Sequence, residues 1–455
     1  MPGPAEHGGA GEYHVTVLST EHAQQGHSHQ MEGGWDEWMD NPVLRALLAL
    51  LLVAALVTLV ALAALWPDGS GRAAVQAEAA TIGLAAERLE ATVAEVIDGE
   101  CAFSSEGNVW DCRTVVVTPS TGPDAGALLA LPEFVEGSGV PVPEVSVGDA
   151  VVIDYEPTTG FYSYGDQDRR SALVWLFAVF AVVVIALGRL RGLLALIAMA
   201  TTVAILVGFV APSVLDGNDP VAVSVVAASV IAFVSLYLTH GFNPTTTIAL
   251  IGTLLALLLT LVLSSVFFDL ARFTGLATEE GVLLPVLAQD INMASLLLGG
   301  AIIGALGALD DVTVTQVATV AELKAQNPGL SRRRLISSGI RVGREHIAAT
   351  VNTLLLAYAG VSMPLLLLFV VSDLSLAMIA NSEIVAVEIV RTLCGSLGLI
   401  AAVPITTWLT AVLVSAGAPA EHGHDDDLGP AEEPAPAPEP ERIQVSWDDF
   451  APRDD

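Results

Sequence analysis

Positive charge is scarce in this chain. Eighteen Lys plus Arg stand against 50 Asp plus Glu, for a formal net charge of -32 at pH 7, and only Lys324 among the eighteen is a lysine. An acidic balance of this kind argues against nucleic-acid partners, since phosphate backbones are gripped by basic surface. Arginine at the expense of lysine suggests a bacterium of high GC content. Cysteine is also scarce, with three residues and no paired spacing of the metal-binding kind. No nucleophile elbow, phosphate loop or His-Glu-x-x-His pattern occurs, so the chain is not expected to be an enzyme and no cofactor is implied. Two adjacent acids, Asp310 and Asp311, are the one feature on which an intramembrane hydrolase could be built, and such chemistry wants acids on facing helices.

What the chain has is apolar length. Of its residues 53% are hydrophobic and 15% charged, and eight runs approach or exceed the roughly 20 residues that cross hydrocarbon. They are Ala46 to Trp66, Ser171 to Gly188, Gly192 to Leu215, Val221 to Leu238, Thr245 to Phe268, Ile291 to Leu309, Ile347 to Val371 and Thr392 to Ala416. The first is too long for a signal-peptide core and ends in an interfacial tryptophan, Trp66, so it reads as a retained anchor. Basic residues divide cleanly between alternate loops. Arg189 and Arg191 follow the second run, and Lys324, Arg332, Arg333, Arg334, Arg341 and Arg344 follow the sixth, whereas the opposite short loops hold only Arg272 and Arg391. The positive-inside rule then sets both termini in the cytoplasm of a bacterial plasma-membrane protein, with 67–170 outside.

The acid sits mostly in the soluble stretches. Residues 1–42 carry seven acids and no Lys or Arg, 67–170 carry eighteen against five arginines, and the stretch beyond Gly417 carries twelve against two. The outside segment turns to strand chemistry in Ala91–Ile97, Arg113–Thr118 and Val147–Asp154, short β-branched runs bounded by Gly, Pro, Asp and Ser. A small all-β barrel or sandwich is the simplest architecture. Cys101 and Cys112 flank a Ser-Ser-Glu-Gly-Asn turn there, where an oxidising exterior permits a disulfide as readily as two free thiols. Cys394 lies in the last apolar run and reads as a small buried residue. The tails, 1–42 and 417–455, are low in apolar content and are expected to be disordered. His422, His424 and Asp425 in the second tail make a weak metal candidate.

Four polar clusters interrupt the membrane runs. Asp310 and Asp311 close a glycine-punctuated run, Gly299 to Leu309, and open a pattern in which Thr315, Thr319 and Glu322 follow Asp311 on one helix face. Capping a new helix would account for one acid, while charge at bilayer depth is otherwise a functional hypothesis. Asn243-Pro244 forms a good helix start, and three successive threonines, Thr245 to Thr247, are more than a start requires. Arg344-Glu345-His346 is followed by Thr350, Asn352 and Thr353, which serve either packing or a site. On the outside, Asn381-Ser382-Glu383 precedes Glu388 and Arg391, spaced to pair at i and i+3.

The runs Gly304 to Gln316 with Asp310-Asp311 inside, Arg344-Glu345-His346 to Asn352-Thr353-Leu354, and Glu388-Ile389-Val390-Arg391-Thr392-Leu393 to Gly398 resemble the YibE/F family of bacterial multi-pass membrane proteins, over about Leu44 to Ala416. The resemblance implies an anchor, an extracytoplasmic β-rich segment and a multi-helix membrane domain, and a permease role without a named substrate. It raises Asp310, Asp311, Asn352 and Arg391 as site residues. The expected molecule is an α-helical polytopic membrane protein of about eight transmembrane helices. Its anchor spans 43–66, an inserted all-β domain 67–170 and a seven-helix domain 171–416, between disordered acidic tails. It would move a small solute or ion, coupled to a cation or proton through the Asp pair. The competing expectation is a non-transporting scaffold whose outside domain binds a protein partner. Asn243, Thr315, Thr319, Glu388 and Arg391 complete the candidate ion-binding set.

Overall fold

The architecture is seen in a computed structural model, which describes residues 42–81, 86–105, 109–139, 142–372 and 374–416. Both tails, including His422, His424 and Asp425, lie outside the described residues. The first helix, α1 (Pro42–Ala64), is followed by α2 (Ser70–Thr81) and then six strands, β1 (Glu87–Glu100), β2 (Asp111–Pro119), β3 (Leu129–Ala130), β4 (Phe134–Val135), β5 (Ala150–Glu156) and β6 (Phe161–Gln167). Helices complete the described chain: α3 (Arg170–Leu215), then α4 (Pro220–His240), α5 (Pro244–Ala271), α6 (Glu279–Leu287), α7 (Met293–Gln326), α8 (Arg332–Val361), α9 (Met363–Val371), α10 (Leu376–Asn381) and α11 (Glu383–Ala416).

Six of these, α1, α3, α4, α5, α7 and α11, are long and apolar enough to cross a membrane, and α8 with α9, bent by 63° at their junction, makes a seventh if taken as one span. The 46 residues of α3 would extend about 69 Å if straight, more than twice a hydrocarbon core. They are not straight. Arg189 has φ 50 and ψ -131, and a β-carbon at Gly192 would strike the carbonyl oxygen of Val184, eight residues earlier and about 12 Å away along a continuous helix. The second and third apolar runs are therefore two limbs meeting at a sharp bend, and a π-helical turn, Leu206–Val210, lies in the second limb. Large apolar side chains such as Trp175 at 72% and Leu187 at 83% exposure cover the first limb. A surface of that kind belongs in lipid.

Local chemistry fixes the helix starts. Asp219 accepts from Ala222 N at 2.8 Å, Asn243 from Thr246 N at 2.8 Å and Asn292 from Ser295 N at 3.0 Å, with proline opening α4 and α5 behind their caps. α4, α5, α7 and α11 share one core through residues such as Leu236, Leu250, Ile302, Leu309 and Leu399. Glycine permits the closest approaches. A β-carbon at Gly299 of α7 would collide with Ser224 of α4, one at Gly252 of α5 with Thr406 of α11, and one at Gly398 of α11 with Thr260 of α5.

The strands form one antiparallel sheet in the order β3-β2-β1-β5-β6, with β4 also on β2. Inward Leu89, Ala91 and Val93 alternate along β1 and pack on Val115, Val117, Val151 and Ile153, as a period of two requires. A bulge between Val93 and Glu95 leaves Val93 to bond with the Ser146–Asp149 turn, where Gly148 takes φ 97. Cys101 and Cys112 are joined by a disulfide at the far end of β1 and β2. The path is open among the described residues, where the sequence suggests a barrel or sandwich. A β-only reading of 67–170 also omits α2. That alanine-rich helix is anchored at its start by Asp216, whose carboxylate accepts from Asp68 N at 2.7 Å, Gly69 N at 3.0 Å and Gly71 N at 2.7 Å. Because the sheet lies between α1 and α3, one end of the bundle is its sheet side, and the opposite end carries Arg189, Arg191 and Arg332 to Arg344.

Candidate functional site

Asp310 and Asp311 do not open a helix. The glycine-rich stretch before them is helical, and α7 runs unbroken from Met293 to Gln326, placing Asp310 about 25 Å from the helix start at 1.5 Å per residue. Every backbone N–H there has its intrahelical acceptor, so the capping explanation falls for both acids. Glycine reads as a break in a soluble helix, whereas in a membrane bundle it lets helices approach.

The two acids then part company. Asp310 points between α7 and α4, where Ser235 Oγ donates to its Oδ2 at 3.3 Å, and its Oδ1 is buried with no partner. Asp311 is exposed, as are Gly300, Gly304, Gly307, Thr315 and Ala318 on the same side of α7. Thr315 Oγ1 bonds back to Asp311 O at 2.8 Å and Thr319 Oγ1 to Thr315 O at 2.8 Å. The face shared by Asp311, Thr315, Thr319 and Glu322 is thus the unpacked one, and its threonines are occupied by their own helix.

The packed polar face is Asp310 with Thr313 and Gln316, the last two of which sequence reasoning passed over. Thr313 and Thr253 of α5 share a hydrogen bond of 2.6 Å between their hydroxyls, both buried. Gln316 donates to Gly339 O of α8 at 2.9 Å and to Thr407 Oγ1 of α11 at 2.7 Å. One glutamine therefore ties three helices at the arginine side, where Gly339 and Gly343 let α8 close on it. The spacing of three residues from Asp310 to Thr313 to Gln316 was readable as one helix stripe.

A second cluster lies nearer the sheet side. Arg391 Nη1 donates to Glu388 Oε1 at 2.8 Å, while its Nε is buried without a partner. Tyr358 of α8 is within electrostatic reach of both. A β-carbon at Gly304 would stand 3.1 Å from the Tyr358 hydroxyl, and one at Gly300 4.0 Å from Arg391 Nη2. Two helices, α8 and α11, thus bring Tyr358 and the Glu388-paired Arg391 over the open glycine face of α7.

The other candidates are not gathered with either cluster. Asn243 is fully engaged in capping, accepting from Thr246 N and Oγ1 and donating to His240 O at 2.8 Å. Asn352 is exposed on α8, and Thr350 and Thr353 bond to their own helix. His346 leaves a buried Nε2 without a partner. Glu383 clamps the α5–α6 loop, accepting from Thr274 N at 2.7 Å, Gly275 N at 2.6 Å and Thr274 Oγ1 at 2.8 Å. Among the described residues, Cys101, Cys112 and Glu133 form the one cluster with three potential metal ligands. Its two sulfurs are spent in the disulfide, and Glu133 accepts from Ala102 N at 3.0 Å.

No curated protein and no solved structure matches the chain. A family model described as YibE/F-like protein matches residues 176–416, which begins inside the first limb of α3 rather than near Leu44 and so leaves α1 and the sheet outside the match. The matched half holds both clusters, Asp310 with Ser235 and Arg391 with Glu388 and Tyr358, and by it the chain belongs to the YibE/F-like family.

Proposed function

We propose that this is a multi-pass permease that moves a small solute or ion and couples that movement to a cation or proton at Asp310. The observation that carries the reading is the buried, unpartnered Oδ1 of Asp310, far inside a helix that offers it no capping role. An acid so placed in a bilayer costs several kcal/mol unless a counter-charge or proton joins it, which is why such groups mark ion pathways. Ser235 supplies a neutral oxygen at the same spot, the kind of ligand a hard cation or proton relay uses.

In the same proposal the chain crosses a bacterial plasma membrane eight times, with the limbs of α3 counted separately and α8 with α9 as one span. Both termini are cytoplasmic and the sheet is outside. The arginines gathered on the side opposite the sheet support that orientation, and the Cys101–Cys112 disulfide suits an oxidising exterior.

The test is thermal unfolding of the purified protein in detergent across Na⁺, K⁺, Mg²⁺, Mn²⁺, Zn²⁺ and pH, comparing the native chain with Asp310→Asn and Asp311→Asn. A ligand of the folded state raises its melting temperature by mass action. The expected result is one cation, or acid pH alone, that stabilises the native chain and Asp311→Asn but not Asp310→Asn. Identical profiles for all three would remove Asp310 from ion binding and leave a scaffold that presents the sheet to a protein partner.

A further inference from the structure

Arg391 has more hydrogen-bonding capacity than its surroundings use. A guanidinium offers five N–H donors, and among the described residues one is used, on Glu388. Its side chain is 18% exposed and its Nε is sealed from solvent without a partner. Simple pairing at i and i+3 leaves the other donors unexplained, because a structural Arg–carboxylate pair gains most from two parallel bonds and this one has a single bond.

One of the unused donors, Nη2, stands over bare backbone. Gly300 and Gly304 lie one helical turn apart on the open side of α7, and β-carbons on them would stand 4.0 Å from Arg391 Nη2 and 3.1 Å from the Tyr358 hydroxyl. The Tyr358 hydroxyl therefore rests on the Gly304 backbone and Arg391 Nη2 stands just off Gly300, so the two side chains flank one exposed stretch of α7. The Tyr358 hydroxyl makes no hydrogen bond among the described residues and is free to donate. Arg391 lies about 12 Å along α11 from Glu383, and Gly300 about 10 Å along α7 from Met293, so the notch sits below the sheet-side rim rather than on it.

We propose that Arg391 and Tyr358, over the Gly300–Gly304 backbone, form an anion-binding subsite for a small oxyanion, carboxylate or phosphate. Resting on the permease reading, this makes the transported solute anionic and assigns the two clusters complementary tasks, with Asp310 taking the compensating cation or proton about 15 Å further along α7. Glu388 holds the guanidinium in place and sets its free edge toward the glycines. Both oxyanion classes share the planar or tetrahedral oxygen edge that a guanidinium recognises.

The probes are inorganic phosphate, sulfate, acetate and succinate, each titrated at constant ionic strength against the full-length protein in a non-ionic detergent, with phosphatidylglycerol as a separate arm. The variants are Tyr358→Phe and the double change Arg391→Gln with Glu388→Gln, which removes both charges and strands neither. At least one probe is expected to raise the melting temperature of the native chain saturably, with apparent affinity about tenfold or more weaker in the double variant and partly weakened in Tyr358→Phe. A response to phosphatidylglycerol alone, lost in the double variant, supports the subsite with a lipid headgroup as the source of phosphate. No response to any probe, or equal responses in native and double variant, overturns the proposal. Asp310→Asn should keep the anion response, so loss of the cation response there reports on the permease reading separately.

Discussion

Asp310 and Asp311 are adjacent, carry the same side chain and live in opposite surroundings. One turns between α7 and α4 with half its carboxylate unmatched, and the other stands exposed on the glycine side. A helix rotates 100° per residue, so neighbours in sequence share little in space, while residues three or four apart share nearly everything. The lesson extends along the whole of α7. Its packed face runs through Gly299, Asp310, Thr313 and Gln316, and its open face through Gly300, Gly304, Gly307 and Asp311.

The sharpest way to break that contrast is steric. Gly299→Val would drive its side chain into Ser224 and come 3.0 Å or less from Pro220 O, so a loss of about 3 kcal/mol or more, or failure to yield folded protein, is expected. Gly307, with nothing within 4 Å of an added carbon, should accept alanine and gain up to about 1 kcal/mol of helix propensity. Melting curves of the two variants in detergent decide whether the faces differ as described.

Charge comes next. Asp310→Asn removes a buried charge and should stabilise the ligand-free protein by about 1–3 kcal/mol while abolishing ion-dependent stabilisation. Asp311→Asn should stay within about 0.5 kcal/mol. Equal effects would dissolve the distinction between the acids. The hydroxyl pair is a finer probe: Thr313→Val loses its bond to Thr253 and should cost about 0.6–1.7 kcal/mol, the range seen for hydrogen bonds between membrane helices. Thr315→Val, on the open face, should cost almost nothing, and the difference is read from chemical or thermal unfolding.

The smallest effect lies in the sheet region, where Asp168 and Asp98 are paired with arginines. The Arg170 side chain beside Asp168 holds that carboxyl at about 2, and the hydrogen bond from Arg113 lowers Asp98 below the ordinary 3.8. A depressed carboxylate stabilises the fold fully above its ordinary range and loses that contribution as pH falls. Stability of the sheet should therefore decline between about pH 4 and pH 2. Asp168→Asn should flatten that decline without altering the profile above pH 5, as followed by circular dichroism.

What was legible in the sequence follows the range of the interactions. The apolar runs, the Asn243-Pro244 start and the strands around Val93, Val115 and Val151 depend on neighbours a few residues away, and each could be read directly. The unbroken course of α7 through four glycines could not, because what closes on it, such as Ser224 of α4 at Gly299 and Tyr358 of α8 at Gly304, comes from distant parts of the chain. Thr313 and Gln316 stayed hidden for the same reason. Their partners, Thr253, Gly339 and Thr407, are between 23 and 91 residues distant in the chain. The charge of Asp310 announced itself, while the Ser235 beside it, 75 residues away, did not.

The Asp216 carboxylate has a mechanical consequence. It grips three backbone N–H groups at the head of α2, and only three residues later Asp219 caps α4, the helix that carries Ser235 to Asp310. The head of α2 and the start of the helix that carries Ser235 are thus held by one short loop, pinned at Asp216 and Asp219.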